Sequence, residues 1–143
     1  MPKGDHLEDY GTRYVFFSDW LAEQIEFHKP DWVAYEAQIP QFDHKKSNHH
    51  TAVLIWGLIA MCEAETRRAG LPCWSYSVTD VKMHLTGDGS APKQLVFDCC
   101  KRLGWEPKNF DESDAGALWA LAHCDEDPKF SYAATPLFGR PAA

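Results

Sequence analysis

The chain has no excess of positive charge. Fourteen Lys and Arg stand against twenty-one Asp and Glu in 143 residues, a net charge of −7, with a pI near 5.4. That balance excludes broad, charge-driven nucleic-acid binding by the whole surface, while leaving room for a local basic face and fitting a clustered acidic site. Long apolar runs are also missing. The longest candidate, Thr51 to Cys62, falls short of the roughly 18 residues a membrane-spanning helix needs. The first residues, Met-Pro-Lys-Gly-Asp-His, hold no apolar core of a secretory signal, so the reading is a cytoplasmic protein, in a bacterium or a phage-infected host. The five cysteines (Cys62, Cys73, Cys99, Cys100, Cys124) include no C-x-x-C pair, which argues against a zinc site or disulfide framework and for free thiols in a reducing compartment.

What is present is the material of one ordinary domain, 45% hydrophobic and 24% charged, with nine Gly and nine Pro. Tyr14, Phe17, Leu21 and Ile25 recur at steps of three and four, predicting an amphipathic helix capped by Asp9 or Thr12 and stopped before Pro30. Trp32 to Tyr35 reads as a short strand that ends on Glu36, and Ala37 to Asn48 as a loop. Ala52, Ile55, Trp56, Ile59 and Cys62 place a long helix from His49 to about Arg68. Pro72 to Tyr76 is a second strand, and Ser77 the N-cap of a helix over Val78 to Leu85. A tight turn, Thr86 to Gly89, leads into a helix that starts at Ser90 with Pro92 in its first turn. The last helix opens at Asp111 or Ser113 and runs to about His123, and 125–143 is a C-terminal tail. Strands that alternate with helices imply an α/β fold with a parallel sheet, here with only two strands evident.

Three groups of residues have the makings of a site. Glu36 lies at the carboxyl end of a predicted parallel strand, where open α/β sheets carry their active sites; a solvated strand-end carboxylate is the plain alternative. Asp111 and Asp114 share one face of a helix start while Glu112 points elsewhere, and first-turn acids are also favoured by capping and the helix dipole. Three carboxylates drawn to one point would require a hard divalent cation with oxygen ligands, and two such ions are able to drive phosphodiester cleavage. Lys82 and Lys93 flank the third feature, a Gly-containing turn running into a helix N-terminus, suited to holding phosphate through backbone N–H groups and ammonium charge. The turn lacks G-x-x-x-x-G-K-[ST] and is no nucleotide P-loop. His49 and His50, beside Lys45 and Lys46, are read as solvated loop ahead of DNA contacts, and the six tryptophans as mostly core or strand edge, with Trp56 a candidate for a dimer seam.

The order Val33-Ala34-Tyr35-Glu36, then V-K-x-x-x-T-G-x-G-x-A-x-K from Val81 to Lys93, then D-x-x-D-A from Asp111 to Ala115, resembles the RuvC family of Holliday junction resolvases, in particular its short phage-type members. The similarity covers roughly residues 12 to 124, its central run is the most specific part, and the expected organisation is a single nuclease domain over 1–124 followed by the tail. The resemblance implies an RNase H-like sheet with flanking helices, a homodimer, and Mg²⁺-dependent (or Mn²⁺-dependent) cleavage of branched DNA. It assigns Glu36, Asp111 and Asp114 to catalysis and metal binding, with Glu112 a competing register for Asp111, and it sets Lys82 and Lys93 on the DNA backbone. Family members begin with an apolar strand ending in Asp and a hairpin, which this sequence does not show before Tyr14. The expectation is therefore a resolvase recorded without its N-terminal β-hairpin region. Its rival is a catalytically inactive junction-binding or regulatory protein built on the same frame.

Overall fold

A computed structural model describes residues 9–37 and 49–130. Its elements are α1 (Tyr10–His28), β1 (Val33–Ala37), α2 (His49–Arg68), β2 (Cys73–Ser77), α3 (Val78–Thr86), α4 (Lys93–Arg102), α5 (Phe110–Glu126) and a 3₁₀ turn, Pro128–Phe130. β1 and β2 pair as a small parallel sheet. The described residues divide into two compact units, one of 9–33 and 49–73, the other of 34–37 and 74–130.

The first unit is built on the packing of α1 against α2, which run in the same direction: Tyr10 meets His50, Tyr14 meets Val53 and Ser18 meets Glu65. Asp9 is the cap of α1, its carboxylate accepting from the Thr12 backbone N–H at 3.0 Å. The helix runs on to His28, three residues past the last predicted apolar position, and closes on Lys29 in the left-handed conformation. Leu21 is buried as the stripe requires, and the Tyr14 hydroxyl donates to the Val53 carbonyl at 2.7 Å. Glu65 is buried in α2, where Ser18 and Arg68 both bond its carboxylate. Tyr10 and His50 share a hydrogen bond of 2.6 Å, which places His50 against α1 rather than in a free loop. Trp20 and Trp56 are exposed, against the core positions expected for most tryptophans. Lys45 and Lys46 lie outside the described residues.

The second unit holds the main core. Val81 and Leu85 of α3, Ala91, Val96, Cys99 and Cys100 on and before α4, and Ala117 of α5 are buried together, with Tyr76, Leu95, Leu103, Trp105, Leu118 and Leu121 packed around them. Two helix starts differ from the sequence reading. α4 begins at Lys93 with Pro92 as its extended N-cap, because Asp88 takes Ser90 into a turn: its carboxylate accepts from the Ser90 N–H at 2.8 Å and its carbonyl from the Ala91 N–H at 3.1 Å. α5 begins one residue before Asp111, since Asn109 supplies the cap and accepts from the Glu112 N–H at 2.9 Å. It also ends later, at Glu126, so Asp125 and Glu126 belong to the helix; 131–143 lie outside the described residues.

Candidate active site

Glu36 is the fourth residue of β1, next to the strand's carboxyl end, and is half-buried. Three elements of the same unit bring charge to it. Lys82 lies on α3, Lys93 opens α4 and Asp114 sits in the second turn of α5. Glu36 is held above the ordinary carboxylate pKa, first by burial and then by the charge of Asp114, while Lys82 and Lys93 pull the other way. The Lys93 ammonium is 3.4 Å from Asp114 Oδ2. Both side chains are partly solvated, so the pair contributes less than about 1 kcal/mol and is easily exchanged for another partner.

The positions of these side chains follow from local packing. In α5, Ser113 is fully buried, its hydroxyl donating to the Phe110 carbonyl at 2.8 Å, and Ala117 is buried a turn further on. Gly116 lets Trp105 approach so closely that an added Cβ would meet the ring at 3.3 Å. With 113, 116 and 117 facing the core, Asp114 is turned to the flank where Lys93 and Glu36 lie. Asp111 is exposed in the first turn, an earlier step of the helix, and is not among the charges acting on Glu36. Glu112 turns back to accept from the Lys108 N–H at 2.8 Å, so it serves the cap. Among the described residues no group of three or more His, Cys, Asp and Glu side chains is placed to hold a metal ion. Of the three carboxylates read from the sequence, the structure thus brings two together.

The turn between Lys82 and Lys93 is a self-contained brace. Thr86 donates its hydroxyl to the Lys82 carbonyl at 2.8 Å and accepts from the Asp88 N–H at 3.1 Å. Gly87 has φ +78°, where a side chain would be strained, and its N–H bonds the Met83 carbonyl at 2.9 Å. A Cβ on Gly89 would lie 2.6 Å from Thr79 Cγ2. The N–H groups of Gly87, Asp88, Ser90 and Ala91 are taken up inside the turn, so these four are not offered to an anion. Lys82 and Lys93 bring ammonium charge to either side of the turn. Thr86, read only as part of a motif, is the residue that ties the two lysine-bearing helices through its turn.

The donor chemistry fits a hard cation. Glu36 and Asp114 offer carboxylate oxygens, and Glu36 is held above the usual carboxylate pKa first by burial and then by the charge of Asp114. A divalent ion at that point would be held by these carboxylate oxygens.

The fold is RNase H-like, an α/β sheet with flanking helices and an acidic and basic cluster beside a strand end. No family model matches the sequence. It is, however, 31% identical over 123 residues to a crossover junction endodeoxyribonuclease RuvC of Rhodococcus jostii, covering 84% of this chain and 62% of that protein. The RuvC of Geotalea uraniireducens is 32% identical over 124 residues, with 84% of this chain and 67% of the relative covered. Thermus thermophilus RuvC, solved in complex with a Holliday junction substrate, superposes with a TM-score of 0.68 at 24% identity over 92% of this chain and 77% of that one. The chain belongs to the RuvC family of crossover junction endodeoxyribonucleases. It spans 62% of the length of the first of these curated relatives.

Proposed function

We propose that the protein is a metal-dependent endodeoxyribonuclease that cleaves Holliday junctions or other branched DNA by phosphodiester hydrolysis. The observation that carries this reading is the convergence of Glu36, Asp114, Lys82 and Lys93 beside the end of β1. Glu36 and Asp114, with Asp111 a helix turn earlier, would hold Mg²⁺ or Mn²⁺. When bound, such ions activate water and stabilise the leaving oxygen of a phosphodiester. Lys82 and Lys93 meet the scissile phosphate with positive charge where negative charge develops during attack. Lys93 is held ready for that task by a weak, solvated pair that a phosphate oxygen readily replaces. Glu36 binds a proton more readily than a free carboxylate as long as no cation faces it, and gives it up when one does.

Two strands of a four-way junction need two such sites, which a two-fold homodimer would present. No helix among the described residues is long and apolar enough to cross a membrane, and the cytoplasm is where this DNA substrate lies. The test is cleavage of a synthetic four-way junction in Mg²⁺. Cutting that is lost in the double variant Glu36→Gln, Asp114→Asn supports the assignment, and cutting that survives it refutes the metal-binding role. A wild-type chain that binds the junction without cutting it would be the inactive, junction-binding protein instead. That outcome is favoured by the grouping of two carboxylates rather than three among the described residues.

A further inference from the structure

α4 and α5 carry a partly exposed strip that runs on from the cluster around Glu36 to residues the cluster does not use, Phe97, Lys101 and Phe110. Lys93, Phe97 and Lys101 stand at i, i+4 and i+8 on α4 and so share one face. Along it, Lys93 reaches Asp114 at 3.4 Å, and the Phe97 ring meets Phe110 edge to face with centroids 5.7 Å apart. A position further along α4 thus meets an earlier one on α5, so the two helices run antiparallel here, and the strip continues directly from the candidate active site. The Lys101 ammonium lies 5.0 Å from the Phe97 centroid, a cation–π contact that holds the lysine beside the rings. Phe110 is 42% exposed although it is aromatic and begins a helix, and Asp114 stands one turn behind it on the same face.

The charges near the strip are unevenly committed. Asp98 accepts from the Gln94 amide at 2.9 Å and Glu112 serves the α5 cap, whereas Lys101 faces solvent over a ring. α4 itself carries Lys93, Lys101 and Arg102 against Asp98, a local surplus of positive charge in a chain of net charge −7. From Lys93 to Lys101 the helix advances about 12 Å. Along the axis of a duplex the phosphates of one strand rise by ~3.4 Å each, so a run of that length parallel to the axis covers about three to four nucleotides. Basic groups that track a backbone, interleaved with an exposed aromatic face, are the chemistry of a single-strand groove.

Resting on the nuclease reading above, we propose that Lys101, Phe97 and Phe110 form a strand-holding subsite: Lys101 binds a phosphate a few nucleotides from the scissile one, and Phe110 stacks on a base of the strand leaving the branch point. Phe97 positions both partners by touching each. The subsite extends the DNA footprint from the carboxylates along α4, away from Lys82.

Equilibrium binding of the full chain to a synthetic four-way junction, titrated across salt concentration in Ca²⁺ to suppress cutting, tests this. Lys101→Ala is expected to lower the slope of log K against log salt by about one, the signature of one lost phosphate contact. Phe110→Leu keeps an apolar side chain against Phe97 but removes the flat π face; it is expected to weaken binding about tenfold with the slope unchanged. Lys29→Ala, on the other unit, serves as the control for loss of a lysine as such. Wild-type affinity and slope in both Lys101→Ala and Phe110→Leu, in a chain that does bind the junction, would overturn the subsite and leave the nuclease reading standing. A wild-type chain with no preference for the junction over a linear duplex would overturn both.

Discussion

Gly57, in the middle of α2, is the position where one methyl group has the most to say about the first unit. A Cβ built there would fall inside the Tyr14 ring, with Cζ, Cε1 and the hydroxyl oxygen all well under 3.0 Å. Gly→Ala in a helix interior ordinarily stabilises by about 1 kcal/mol. Here the Tyr14 ring must swing away, losing the hydrogen bond to the Val53 carbonyl, worth about 1 kcal/mol net. Displaced packing between the helices adds about 1–3 kcal/mol. The balance is a loss of about 1–3 kcal/mol for Gly57→Ala, so the substitution acts against its own helix propensity. Urea unfolding followed by circular dichroism gives the number. The sharper test is the same substitution in a Tyr14→Ala background, where the clash is gone and only propensity is left, so Gly57→Ala should there stabilise by about 0.5–1 kcal/mol. A change of the same sign and size in both backgrounds would refute the close approach of Tyr14 to α2.

Four further outcomes follow from the second unit. Glu36 has a folded pKa above its unfolded value, so its contribution to stability is present at low pH and lost as pH rises through the folded value; Glu36→Gln should therefore stabilise the protein at pH 7 and do so less at pH 4, read from unfolding free energies at each pH. In the same site Lys93→Ala should raise the Glu36 pKa further in a ¹³C-detected carboxylate titration, and an unchanged or lower value would show that Lys93 does not act on Glu36. His84 is shifted the other way: burial holds its pKa below the usual 6.5, opposed by Asp125, and its Nε2 is buried without a partner. The wild-type protein should lose stability as pH falls below about 6.5, and the advantage of His84→Leu over it should grow from pH 7 to pH 5; an advantage that stays constant would rule out that cause. Asn109→Ala removes the α5 cap and should cost about 1 kcal/mol, a smaller loss being expected from Asn109→Asp, which keeps an acceptor for the Glu112 N–H.

Much of this was legible in the residues because it is local. The spacing of apolar positions in α1 and α2, Ser77 as the cap of α3, and the strand that delivers Glu36 depend on neighbours a few residues away. The start of α4 differed because Asp88 draws Ser90 into a turn, and that of α5 through competition among several good caps: Asn109, Asp111 and Ser113 all suit the role, and which side chain reaches an orphan N–H is decided by how the chain enters α5. Exposure of Trp20, Trp56 and Trp119 was equally beyond periodicity, since an apolar side chain is buried only where another surface covers it.

The site divides along the same line. Which residues are candidates for the chemistry, the carboxylates Glu36, Asp111 and Asp114 with Lys82 and Lys93, was legible in the sequence alone, through motifs whose spacing is set by single helices and turns. Which of them share one electrostatic neighbourhood was decided only by tertiary structure. The burial of Ser113, Gly116 and Ala117 against the α3–α4 core rotates α5, and that rotation sends Asp114 to Lys93 and Glu36 and leaves Asp111 facing solvent. A helix start holding both aspartates on nearly one face is compatible with either outcome; the core against which the helix is packed selects between them.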